Sequence, residues 1–319
     1  MDFLPLPDNT ARQIIDATTV FNEHRRVKPL AGTVTGGMYW QRQGAYDYLV
    51  CTRPDNTQAR IGPRSTQTEA THAEFTARKL AIESRWKDIA AALTETTRMN
   101  KAVKAGRTPA LVVTLLQTLD DAGLGAHFTV VGTHALYAYE TAAGVRIVPG
   151  ALTTQDVDLL WDARKRVRFV SDLGRLNSSM LQVLQRADKT FERKAGQNET
   201  AINARGFEVD FLPRQPEGDD PHPFRFSADE DDLWSVQALR ASVLTNAPRF
   251  THPVIAATGQ MAVMNTIAPA VFVEFKRWMA ASAPGRPEPK RRRDQRHADI
   301  VAALIGQGLL LPGLPGLAG

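Results

Sequence analysis

Cysteine is almost absent from this chain, and so is any long apolar run. One cysteine, Cys51, stands among 319 residues, which excludes an internal disulfide and suits a reducing cytoplasm. No stretch approaches the ~20 apolar residues of a membrane span, and no basic N-terminal segment leads into an apolar one. A soluble, cytoplasmic protein without a membrane partner is expected. Histidine is scarce as well: none of the seven lies in sequence beside an acid-bearing strand. That weighs against a phosphohydrolase, whose metal centres commonly mix histidine with aspartate.

Hydrophobic residues make up 43% of the chain, enough at this length for one large core or two modest ones, of which two are favoured. The net charge is +5, and the positive residues cluster at Arg25, Arg26 and Lys28, at Arg164 to Arg166 with Arg168, and at Lys290 to Arg293 with Arg296. Such clusters either neutralise the phosphates of a nucleotide or nucleic acid or form solvated faces.

The strongest chemical signal lies between Gln155 and Asp162, where Asp156 and Asp158 interrupt an apolar run with the composition of a buried strand. Alternation along a strand puts both carboxylates on one face and Val157 and Leu159 on the other. Two carboxylates so close repel, and a hard cation such as Mg²⁺ or Mn²⁺ relieves the repulsion. Upstream, His127 to Val131 is expected to form a short strand and about His134 to Ala143 a helix, with Gly132 and Thr133 at the turn between them. A glycine and a hydroxyl there let the backbone approach a phosphate at a helix start. Downstream, Gly206 to Pro213 reads as a second acid strand with Glu208 and Asp210 on one face. Asp210 is the favoured third ligand, because it lies deeper in the apolar run. Asp162 reads as a cap after the strand end.

Gly132-Thr133, Asp156-x-Asp158 and Asp210 in this order resemble the signature of the DNA polymerase beta superfamily of nucleotidyltransferases. The phrases at 132–140, 155–162 and 61–65 are similar to a bacterial subgroup of nucleotidyltransferase-fold proteins, and the resemblance spans about residues 30–305. It implies an α+β fold whose core is a mixed sheet flanked by helices. It also implies two-metal transfer of a nucleoside monophosphate from a nucleoside triphosphate such as ATP to an acceptor hydroxyl, with release of pyrophosphate. Asp156, Asp158 and Asp210 would hold Mg²⁺ or Mn²⁺, and Gly132 and Thr133 the β- and γ-phosphates. A helical C-terminal region supplies a lysine near the nucleotide in related toxin enzymes, which points to Lys276. Arg64, in the Gly-Pro-Arg-Ser phrase, is a second candidate for phosphate or substrate. RNA, a protein or a small molecule could be the acceptor. A catalytically idle nucleotide- or nucleic-acid-binding protein and a toxin acting on transfer RNA are the alternatives. The Thr133–Asp156 spacing exceeds that of many superfamily members, so Ala143 to Thr154 should form an inserted loop or short strand.

Three regions are expected: residues 1–107 with an N-terminal helix (8–24), a β-hairpin unit and a long helix (66–98); the transferase core at 108–215, opened by Thr108 as cap and Pro109; and a helical region at 216–319 after a Pro-rich acidic linker.

Overall fold

The computed structural model describes residues 2–161, 166–213, 224–235 and 241–313, and the chain divides into two compact units, Arg12–Ala102 and Met1–Ala11 with Val103–Gly319. Residues on both sides of position 215 therefore share one unit. Asp162, Arg164, Lys165 and most of the Pro-rich linker are outside the described residues.

In the Arg12–Ala102 unit, strands Gly37–Gln43, Tyr46–Thr52 and Gln58–Pro63 pair antiparallel in chain order. Left-handed residues make the reversals possible: Gly44 (φ 62) in the first turn and Asn56 (φ 63) in the second, residue types that tolerate this conformation. Helix Thr66–Ala102 follows at once, its first turn capped by the Ser65 hydroxyl, which accepts from the Thr68 N–H. It runs beside the helix that spans Asp8–Thr33. Gln13 donates to Asn100 across a buried 3.0 Å hydrogen bond, and the His24 and Trp86 rings lie 4.8 Å apart. The first helix outruns the expected end near residue 24 and passes through Pro29. Proline there removes one backbone hydrogen bond and its ring crowds the carbonyl four residues back, so it costs the helix stability.

The other unit is built on a five-stranded mixed sheet in the order Phe128–Val131, Asp156–Trp161, Glu208–Pro213, Thr200–Ile202, Glu192–Arg193. Asp156–Trp161 runs antiparallel to the first of these and parallel to Glu208–Pro213. Its Val157, Leu159, Leu160 and Trp161 are buried, and Trp161, Phe169, Phe211 and Phe226 meet ring to ring at 5.2–5.5 Å. Helix Ala110–Asp121 buries Val112, Val113, Leu115, Leu116 and Leu119. Helix Ala135–Ala143 is buried along most of its length and ends at Gly144 in the left-handed conformation (φ 64). Within it Glu140 is buried, and Arg107 donates to its Oε1 at 2.9 Å while the Ile147 N–H donates to its Oε2 at 2.8 Å. The inserted residues form strand Val145–Ile147, paired with Phe3–Pro5, and a single 3₁₀ turn at Pro149–Ala151. Pro109, not Thr108, occupies the N-cap of Ala110–Asp121, without a side-chain cap; the Thr108 backbone instead bridges to Ala256.

One expectation needs correction. The C-terminal region is not purely helical: Arg249–Ile255 and Met261–Ile267 form a seven-pair antiparallel hairpin, turned at Gly259 (φ 88). Pro253 obscured the first strand, yet a two-stranded ribbon has only edges, where proline is tolerated. The Tyr139 hydroxyl donates to Ile267 O at 2.7 Å. Helices Pro269–Ala281 and Glu288–Gly306 follow and pack on each other. The whole is an α+β protein. Among the described residues no helix is long and apolar enough to cross a membrane.

Candidate active site

Parallel pairing of Asp156–Trp161 with Glu208–Pro213 sets Asp156 opposite Glu208 and Asp158 opposite Asp210. Partners directly across a sheet share a face, so the register alone collects the acids. One carboxylate oxygen from each of Asp156, Asp158 and Asp210 lies within 4.8 Å of the others. Glu208 is drawn aside, its Oε1 accepting from Lys194 Nζ at 2.7 Å. The group contains no histidine.

On the other flank Val131 is paired with Asp158, which delivers the next residue, Gly132, to the Asp158 carboxylate. Gly132 has φ 70, and a Cβ built there would overlap Asp158 Oδ2. Glycine is thus required twice, for its backbone conformation and for the close approach. Thr133 and His134 complete a buried 3₁₀ turn into helix Ala135–Ala143. Gly132→Ala is expected to cost about 1–3 kcal/mol from the left-handed backbone alone and to displace the Asp158 carboxylate, cutting activity more than about tenfold. Thermal melts and steady-state rates check both halves.

Hydroxyls orient the outer carboxylates. Thr200 Oγ1 donates to Asp210 Oδ1 at 2.6 Å, and Thr154 Oγ1 donates to Asp156 Oδ1. Burial raises the Asp158 carboxyl to about 7, with Asp156 and Asp210 adding repulsion and Lys276 and Arg293 opposing. Burial also raises the Asp210 carboxyl, against the stabilising Thr200 hydrogen bond. Like charges held this close, with only hard oxygen donors, are the chemistry of a divalent-cation site.

Lys276 is buried, so it is no surface lysine. It donates to Asp294 Oδ1 at 2.7 Å, and Arg286 Nε donates to Asp294 Oδ2 at 2.5 Å. Burial lowers the Lys276 ammonium from its ordinary value, against Asp294 and Asp158. Asp294 stays below the usual carboxylate range: burial pushes it up, but Lys276 and Arg286 outweigh that. The basic run Lys290 to Arg293, expected as one cluster, divides into separate roles. Arg291 donates to the carbonyls of Arg286, Ala280 and Ala283 at 3.1, 2.7 and 2.9 Å. Arg292 pairs with Glu288 on the surface. Arg293, which acts electrostatically on Asp158, has a buried Nε without a hydrogen-bond partner. Elsewhere, Arg168 is exposed beside Asp172, and Arg26 pairs with Glu23.

His134 is buried beside the Asp156 backbone. It packs 5.8 Å from the Tyr137 ring and 6.1 Å from that of Phe207. Burial lowers its pKa to about 4, against the neighbouring Asp156; it is a neutral packing residue. Arg64 belongs to the Arg12–Ala102 unit, where it is exposed, pairs with Glu69 at 2.7 Å and lies 5.1 Å over the Trp40 ring.

Sequence reasoning missed Thr154 and Thr200. Thr154 is two residues before Asp156 and could have been found; Thr200 reaches Asp210 only through antiparallel pairing with Glu208–Pro213.

An α+β unit that gathers three carboxylates beside a glycine turn and a buried cation has the make-up of an enzyme of phosphate-ester chemistry. The comparisons narrow this class. A nucleotidyltransferase family model matches residues 110–312, and the chain belongs to that family. No curated protein and no solved structure matches it.

Proposed function

We propose that this transferase is a member of the polymerase beta superfamily that moves a nucleoside monophosphate from a nucleoside triphosphate to an acceptor hydroxyl. The observation that carries the reading is the convergence of Asp156, Asp158 and Asp210, with carboxylate oxygens within 4.8 Å of one another, beneath a glycine that admits no side chain. The acceptor oxygen bonds to the α-phosphorus, the bond to the β-phosphate oxygen breaks, and pyrophosphate leaves.

The three aspartates would hold Mg²⁺ or Mn²⁺, which when bound supplies Lewis-acid stabilisation of phosphate charge and lowers the pKa of a coordinated hydroxyl. The chain's own groups do the rest. Gly132 and Thr133 offer backbone N–H groups and a hydroxyl to the β- and γ-phosphates at a helix start. Lys276 and Arg293, whose charges already act on Asp158, offset the negative charge of a triphosphate. Asp210, oriented by Thr200, is placed to take the acceptor proton.

The test is incubation of the protein with each α-labelled nucleoside triphosphate, Mg²⁺ or Mn²⁺, and total RNA or total protein. Label transferred to an acceptor, lost in Asp158→Asn, is the expected result. Hydrolysis without transfer, or label retained by the variant, would overturn the reading.

A further inference from the structure

Charge is not shared evenly between the two units. Residues 12–102 contain 14 Lys and Arg against 9 Asp and Glu, which accounts for the entire net charge of +5 and leaves the rest of the chain neutral. The three-stranded sheet of this positive unit has two unlike faces. On one, Trp40 meets His72 of the long helix, with ring centroids 5.8 Å apart, and Asp47 lies 3.8 Å from Arg64. Alternation assigns Tyr39, Gln41 and Gln43 of the first strand and Tyr46 and Tyr48 of the second to the opposite face. Pairing adds Arg60, directly across from Val50 on that face.

This second face carries no carboxylate. Tyr39 and Tyr46 are 38% and 66% exposed, and Gln41, Gln43 and Arg60 are exposed beside them. Arg60 lies 4.4 Å over the Tyr48 ring and donates to Gln43 Oε1 at 2.5 Å. Tyrosines on neighbouring strands, a guanidinium held over a ring and amides that can both donate and accept form a platform for unstacked bases. A duplex keeps its base faces stacked and offers such a platform little.

We propose that this tyrosine face of the Arg12–Ala102 sheet binds single-stranded nucleic acid, with bases stacked on Tyr39 and Tyr46 and the backbone drawn by Arg60 and the unit's positive charge. The proposal does not depend on the transfer chemistry, because binding is measured without triphosphate or divalent cation.

The experiment is fluorescence anisotropy of the full-length protein with labelled 12-nucleotide single-stranded RNA, the matching single-stranded DNA and an RNA duplex, each over a series of salt concentrations. The single strands should bind more tightly than the duplex, and RNA against DNA reports which strand is preferred. Tyr39→Ala with Tyr46→Ala, both at exposed rings, should weaken single-strand binding about tenfold or more with little change in salt slope. Arg60→Gln should flatten that slope by about 0.7 for one lost phosphate contact. Asp158→Asn should bind as the wild type does, so a failed transfer reading leaves this result standing. Absence of single-strand binding, equal affinity for the duplex, or full affinity in the double tyrosine variant at an unchanged melting temperature would overturn the proposal.

Discussion

Asp158→Asn should abolish nucleotidyl transfer, by more than about 100-fold, while making the cation-free protein more stable. Asp158 is a carboxylate whose pKa in the fold is raised to about 7, so its charged form is disfavoured there relative to the unfolded chain. The resulting destabilisation is absent below about pH 4, grows as the pH rises toward 7 and is complete above that. Removing the charge at pH 7.5 in the presence of a chelator should therefore raise stability by a few kcal/mol, with about 4 as the upper bound from the shift. Near pH 4 the variant and wild type should melt together. Mg²⁺ or Mn²⁺ should raise the wild-type melting temperature through linkage and leave that of the variant nearly unchanged. A variant less stable than wild type at pH 7.5 without cation would show that Asp158 is held by favourable contacts and not under repulsion.

Lys276→Ala should act in the opposite sense. Asp294 has no exposed surface and is held by Lys276 and Arg286. Loss of one cation from a buried pair costs about 3–5 kcal/mol, which in a domain of this size lowers the melting temperature by roughly 10 °C. Lys276 also opposes the rise of the Asp158 pKa, so without it Asp158 should titrate at higher pH. Activity should fall in the molecules that remain folded. A melting temperature within about 2 °C of wild type would mean that Arg286 alone satisfies Asp294.

These two positions also mark how far the site could be read before the fold was known. Strand alternation is a local rule, so the shared face of Asp156 and Asp158, and that of Glu208 and Asp210, followed from the residues themselves. Depth in the apolar run also favoured Asp210 over Glu208 as the third acid, and the structure groups Asp210 with the pair; the diversion of Glu208 by Lys194, a residue on the far side of a strand reversal, was not legible. Gly132 was marked by its residue type at a strand-to-helix turn. Its contact with the Asp158 carboxylate depends on the Val131–Asp158 pairing, which no spacing encodes. Lys276 and Asp294 are brought together by the packing of two helices, and nothing in either segment foretells it. The Arg249–Ile267 hairpin was hidden by Pro253, which is compatible with a strand only when that strand lies at an edge. The division at residues 12 and 102 falls inside one long helix and at the end of another; Gly106 and Pro109 stand close after the second of these positions, whereas the first lies within a continuous helix that no residue type interrupts at that point.

The central claim is that Asp156, Asp158 and Asp210 form one divalent-cation site. Titration of Mn²⁺ into the wild type and into Asp158→Asn at pH 7.5, followed by the electron paramagnetic resonance signal of free Mn²⁺, tests it directly. Saturable depletion of that signal by the wild type, largely lost in the variant and reversed by Mg²⁺, is the predicted result. Equal depletion by both proteins, or none by the wild type, would contradict the account.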